Sequence, residues 1–201
     1  MKHFIPCVLT VIMVSFGCAK VWSQSYEPGH VILNHGDTLY GKIQDRNDWE
    51  LFRRIRFKGE KGKTKRYAAK DLQGYTMGIH TFESKWFAEE SEFLKTSYYN
   101  RKGYGERVFL KVLHRGPLNV YAREFFYDDN SVANQYELFQ RQGETAMERA
   151  TQGVFGLKKK RLASYFWDCP TLAEKIENGS LKDPLEVARY YALLCGDEQE
   201  E

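Results

Sequence analysis

From Gly29 to about Phe155 the chain alternates apolar and polar residues with period two, and Gly, Asn or Asp breaks the alternation at short intervals. Successive side chains of a strand point to opposite faces, so this pattern makes one face of a sheet apolar and leaves the other wet. The runs HVILN and TLYGKIQD, RIRFKG and KTKRYAA, YTMG and HTFESKWF, VFLKVLHRG and LNVYAREFF, and YELFQRQGE and AMERATQGVF pair off as short antiparallel hairpins. In RRIRFK, Ile55 and Phe57 face a core while Arg54, Arg56 and Lys58 face water. In HGDTLYGKI, Gly36 and Asp37 turn the chain, with Leu39 and Gly41 on one face and Thr38, Tyr40 and Lys42 on the other. HRGPLN is a further turn, because Pro117 lacks the backbone donor that a central strand needs.

One segment, Trp86 to Glu106, lacks clear periodicity and is expected to hold a helical turn near Glu89 followed by a mobile loop. After Gly156 the pattern becomes helical. LKKKRLASYFW forms a first helix; DCPTLAEKIENG follows, with Pro170 at a first helical position, a capping box from Thr171 to Glu174, and Asn178-Gly179 as the stop. In DPLEVARYYALLCG, Asp183 is the N-cap, with Pro184 and Glu186 in the first turn. Leu172 and Ile176 form one buried stripe, and Val187, Tyr191 and Leu194 another. The final DEQEE reads as a frayed acidic tail.

Residues 1–23 read as a secretory signal: Lys2, an apolar run from Phe4 to Ala19, then Val21 and Ser23 before Gln24. The run is short of the ~20 residues of a spanning helix, so the mature form is expected to carry no transmembrane helix. SFGC ending at Cys18 offers an alternative, lipidation of Cys18, with Ser15 standing where a leucine is usual. Removing Lys2 and Lys20 leaves 28 basic against 27 acidic residues, so global charge gives no argument for nucleic acid, and no nucleic-acid partner is expected. Aromatic residues at 15% mark a folded chain, long enough for one sizeable core or two small ones.

The mature body keeps two cysteines, Cys169 and Cys195, and in an oxidising compartment these are a candidate disulfide. Cys169 begins one helix and Cys195 ends the next, so an antiparallel helical hairpin brings both sulfurs to the same end. Closing that loop stabilises by about 3 kcal/mol in the chain-entropy model.

Signals of chemistry are weak. His30 and His35 differ by an odd number of residues and point to opposite faces of a strand, so with Asp37 they make no shared metal site. HGDTLYGK lacks P-loop glycine spacing and precedes a strand, not a helix. No G-x-S-x-G occurs, and Glu89, Glu90 and Glu92, or Asp128 and Asp129, read as solvated acidic faces more readily than as acid-base pairs. No catalytic residue, metal ligand or cofactor is assigned.

The strongest signal for a partner lies between Arg53 and Arg66, which holds eight basic residues and one acid in a near-neutral chain. Arg54, Arg56, Lys58, Lys61, Lys63 and Lys65 form a candidate surface for anionic lipid, lipopolysaccharide or an acidic envelope protein. The competing reading is an ordinary solvated hairpin whose lysines guard an edge strand. LKKKR, Leu157 to Arg161, is the exposed start of a helix, where the dipole calls for a nearby acid or anion.

PGHVILNHGDTLYGKIQDR, IRFKGEKGKTKRYAAKDLQGY, VFLKVLHRGPLNVYAREF and TQGVFGLKKKRLASYFWDCPTLAEKIENG together resemble a group of uncharacterised secreted proteins of Bacteroidota-type bacteria, over nearly the whole mature chain. The GDT-x-x-G-x-I motif also opens Sm-like and SH3-like barrels. The resemblance implies export to the periplasm or cell envelope and transfers no activity. The expected fold is α+β: an antiparallel meander over 24–156, a small barrel or curved sheet that is Sm/SH3-like at its start, then a helical hairpin cap over 157–201. The expected function is a non-enzymatic binding module. An unrecognised hydrolase or carbohydrate-active enzyme, or a small-ligand carrier with a barrel cavity, are the alternatives.

Overall fold

In the computed structural model, residues 26–44, 54–93, 95–126, 133–152 and 155–195 are described. The expected signal over 1–23, including Cys18, lies outside them, as do Arg53, Asp128, Asp129 and the DEQEE tail. The fold is α+β, and its strands are those the alternation marks. Strands β1 (Tyr26–Leu33) and β2 (Thr38–Gln44) form the first hairpin. Gly36, at φ +98°, makes its turn, a conformation open to glycine at no steric cost. Strands β3 (Arg54–Gly59) and β4 (Thr64–Ala68) form the second, a 3-10 turn covers Ala69–Asp71, and β5 (Leu72–Met77) returns beside β1. This is the meander expected of the GDT hairpin start.

The inner face of these strands buries Val31, Ile43, Ile55, Phe57, Tyr67, Tyr75 and Met77, with Tyr75 stacked on Phe82 at 4.6 Å between ring centroids. Tight coiling rests on glycine. Gly29, Gly41 and Gly59 stand in register across three strands, and a Cβ on Gly29 or Gly41 would collide with the Thr76 or Lys58 carbonyl oxygen.

Strand β6 (His80–Glu92) is the hinge of the architecture. One of its edges pairs with β5 over His80–Glu83 and then with β7 (Lys95–Tyr99) over Ala88–Glu92; the other pairs with β8 (Glu106–His114) over Phe82–Phe87. With β9 (Leu118–Phe126), β10 (Ala133–Arg141) and β11 (Ala146–Arg149), the order β6-β7-β11-β10-β9-β8 closes on itself through the β6–β8 pairing as a six-stranded barrel. Phe87, Tyr98, Val108, Leu110, Tyr121, Tyr136, Leu138 and Met147 fill its interior. The helical turn and loop expected over Trp86–Glu106 are therefore corrected. Glu89, Glu90, Ser91 and Glu92 are all exposed and show no alternation, yet their backbone ladder to β7 makes them strand.

Helices α1 (Lys159–Tyr165), α2 (Pro170–Glu177) and α3 (Pro184–Leu194) pack on the outside of β9 and β10. Leu118, Val120 and Phe139 meet Leu162, Phe166, Leu172, Ile176, Val187 and Tyr191 there. Asp183 caps α3 by accepting from the Leu185 and Glu186 amides at 2.8 and 3.1 Å. Two details are corrected. The N-cap of α2 is Cys169 without a side-chain bond, because Pro170 takes the first helical position, so Thr171 lies inside the helix. Leu194 is 56% exposed, at the last turn of α3 beside the cap residue Cys195, and Ala188 fills the stripe instead. Cys169 and Cys195 stand at disulfide distance, with Cα atoms 5.9 Å apart. Among the described residues no helix is long and apolar enough to cross a membrane.

Candidate anion-binding face

Register decides which charges share a face. Ile55 and Phe57 point into the core, so Arg54, Arg56 and Lys58 share the outer face of β3, as the alternation requires. Their cross-strand partners complete the array: Arg66 on β4 stands opposite Arg56, and Lys42 on β2 stands opposite Lys58. Two like-charged pairs thus face each other directly, an arrangement that costs stability. Arg56 donates to Gln44 Oε1 at 3.1 Å, and Lys42, Arg54, Lys58 and Arg66 enter no ion pair among the described residues.

Lys42 lies outside the basic run, and Arg66 closes the run without being among its six candidates. Their signal was available in the register, given Gly41 opposite Gly59. Lys61 and Lys63 sit in the β3–β4 turn, off the strand face. Lys65 stands opposite Phe57, on the other face, with its ammonium 4.6 Å from the centre of the Tyr67 ring. Of the six candidates, three therefore join Lys42 and Arg66 on one face. A cleft of about 400 Å³ opens on it, lined by Pro28, Lys42, Lys58, Glu60 and the backbone of Gly41 and Gly59. Tyr40, 67% exposed, packs its ring 5.5 Å from that of His30 beside it.

Other polar groups serve the fold. His35 and Asp37 bond to each other at 3.1 Å in the exposed first turn, and no group of three His, Cys, Asp or Glu among the described residues is arranged to hold a metal. Arg141, buried at the end of β10, donates to the Tyr165 carbonyl at 2.6 Å, to Asp168 Oδ1 at 2.5 Å and to the Tyr191 hydroxyl at 3.2 Å. Burial works against its charge, but Tyr165, Tyr191 and Asp168 together hold its pKa above the ordinary arginine value. The acid required near the LKKKR helix start is Glu148, which pairs with Arg161, while Arg161 also donates to the Thr96 carbonyl at 2.6 Å. Burial raises the Glu148 pKa despite that partner and lowers that of Lys158.

A second cleft, of about 500 Å³, lies at one mouth of the barrel. Phe87, Glu89, Tyr104, Glu106 and Arg123 line it, so two carboxylates share one concavity. Beneath it, Tyr98 and Tyr136 are buried aromatics whose hydroxyl pKa values burial raises. No protein-family model, no curated protein and no solved structure matches this chain.

Proposed function

We propose that this chain is an exported cell-envelope protein that binds an anionic partner through the outer face of its N-terminal sheet and catalyses no reaction. The observation that carries the reading is the pair of like-charged cross-strand couples, Lys42 with Lys58 and Arg56 with Arg66, on one face. An edge guard needs charge only on β4, whereas this array extends inward over β3 and β2, where no edge requires protection. An anion seated on it relieves the repulsion that the empty face carries. The disulfide-distance cysteines are compatible with export.

The test compares two variants of equal charge loss on immobilised polyphosphate over a salt titration. Replacing Lys42, Lys58 and Arg66 by serine is expected to abolish retention and flatten its salt dependence, whereas replacing Lys61, Lys63 and Lys65 leaves most of it. Equal loss in both would reduce the effect to overall charge and refute the face. The two carboxylates in the barrel-mouth cleft favour one second reading, glycoside hydrolysis by Glu89 and Glu106. Hydrolysis of an envelope polysaccharide that Glu106→Gln abolishes would establish it.

A further inference from the structure

We infer that the cleft on the basic face seats the phosphate of an ethanolamine-type lipid headgroup at a bilayer surface; this rests on the anion-binding reading and names its ligand. Lys42 and Lys58 are directly opposed on adjacent strands at the cleft, so two ammonium groups converge on one site. Compact ammonium charges on flexible stems suit a phosphate's oxygens. The floor between them is the paired backbone of Gly41 and Gly59. Glu60 closes one side. A carboxylate beside two ammonium groups favours a phosphate that carries its own ammonium two carbons away over a bare one.

The flanks commit the site to a membrane. Pro28 accepts a bond from the Gly78 amide at 2.9 Å, which sets the turn residue Ile79, 93% exposed, beside the cleft. Tyr40, 67% exposed, adjoins Gly41 on the other flank. Protruding aliphatic and tyrosine side chains next to cations suit the interface between headgroups and acyl chains.

The experiment sediments the disulfide-intact protein with vesicles of fixed phosphatidylglycerol fraction, the balance being phosphatidylethanolamine or phosphatidylcholine. The expected result is about threefold stronger partition onto ethanolamine vesicles, the worth of one exposed charge contact. Glu60→Gln erases that preference and keeps binding to both. Replacing Lys42 and Lys58 by serine weakens both by about thirtyfold, and replacing Tyr40 and Ile79 by serine weakens both with the ratio unchanged. Equal partition of the unaltered protein, or a preference that survives Glu60→Gln, overturns the inference. Retention on polyphosphate without vesicle binding overturns the lipid assignment and leaves the anionic reading standing; loss of both removes both.

Discussion

Replacing Arg141 by methionine tests how the helical cap is held to the barrel. The guanidinium, with its side chain 8% exposed, joins β10 to the Tyr165 carbonyl, Asp168 and the Tyr191 hydroxyl, and Tyr191 itself donates to Asp168 Oδ2 at 2.8 Å. Methionine keeps much of the apolar stem and removes the cation, so Asp168 is left with Tyr191 alone. Breaking a buried pair from one side costs about 3–5 kcal/mol, and because the Asp168 side chain is 24% exposed the lower end applies, about 3 kcal/mol. In a chain of this size that lowers the melting temperature by roughly 6–12 °C. Asp168→Asn leaves Arg141 the Tyr165 carbonyl, the Tyr191 hydroxyl and the Glu144 carboxylate at 3.5 Å, and costs about 2 kcal/mol. If the pair acts as a unit, the variant carrying both Arg141→Met and Asp168→Asn costs about 3 kcal/mol, well below the sum of the single changes. Urea unfolding followed by tryptophan fluorescence measures all three, provided the urea slope is unchanged. Additive costs, to within about 0.5 kcal/mol, would refute the coupling.

Serine at both Cys169 and Cys195 frees a loop spanning a sequence separation of 26 and is expected to cost about 3 kcal/mol in the same unfolding assay; a change below about 1 kcal/mol would mean that the cap needs no staple. Gly29→Ala drives a Cβ into the Thr76 carbonyl and is expected to cost about 2 kcal/mol or more, while Gly36→Ala, in open space, costs only the strain of its positive φ of +98°. Equal costs at the two positions would remove the close-approach argument. Glu148 holds its proton more tightly folded than unfolded, so its contribution is fully present below its ordinary value of 4.5 and is lost as pH rises through the elevated folded value. Stability of the unaltered protein relative to Glu148→Gln should therefore fall across that window and stay level above it; parallel curves would contradict the burial of this carboxylate.

Local chemistry was legible where local rules decide the outcome. The faces of RRIRFK, the Gly36 turn and the Asp183 cap follow from periodicity and capping alone, and the approach of Cys169 to Cys195 at disulfide distance follows from placing them at helix ends. What was not legible is long-range. The closure of β6 on β8 skips over the β7 hairpin, and nothing in either strand's own composition selects that partner. Arg141 meets Tyr191 across 50 residues of sequence. The second half of β6 failed as a strand prediction because alternation reports one buried face, and at Glu89–Glu92 neither face is buried. For the basic surface the sequence supplied the excess charge, and only the pairing register showed that Lys42 and Arg66 belong to it and Lys65 does not.

The sheet also explains why polarity alone was a poor guide to function. Phe82 of β6 belongs to the N-terminal core, while Phe87 of the same strand belongs to the barrel core. Phe109 of β8 joins the first, and its neighbours Val108 and Leu110 join the second. One sheet therefore exchanges its buried side partway along its width. The side that lines the barrel is, over β1 to β4, the side turned to water. Glu83 and Lys85 mark the crossover on β6: they bond to each other at 3.2 Å, and Arg115 links Glu83 to the Tyr121 hydroxyl at the barrel's polar end. Geometry of this kind demands that the outer N-terminal face be polar. It does not demand that the strand positions of the face carry only cations, with Glu60 at the rim of the cleft the one acid named on it, and mixed signs would have been more stable, as where Glu83 bonds to both Lys85 and Arg115 within the same sheet. The sign of the face, rather than its polarity, is the property left for an anionic partner to explain.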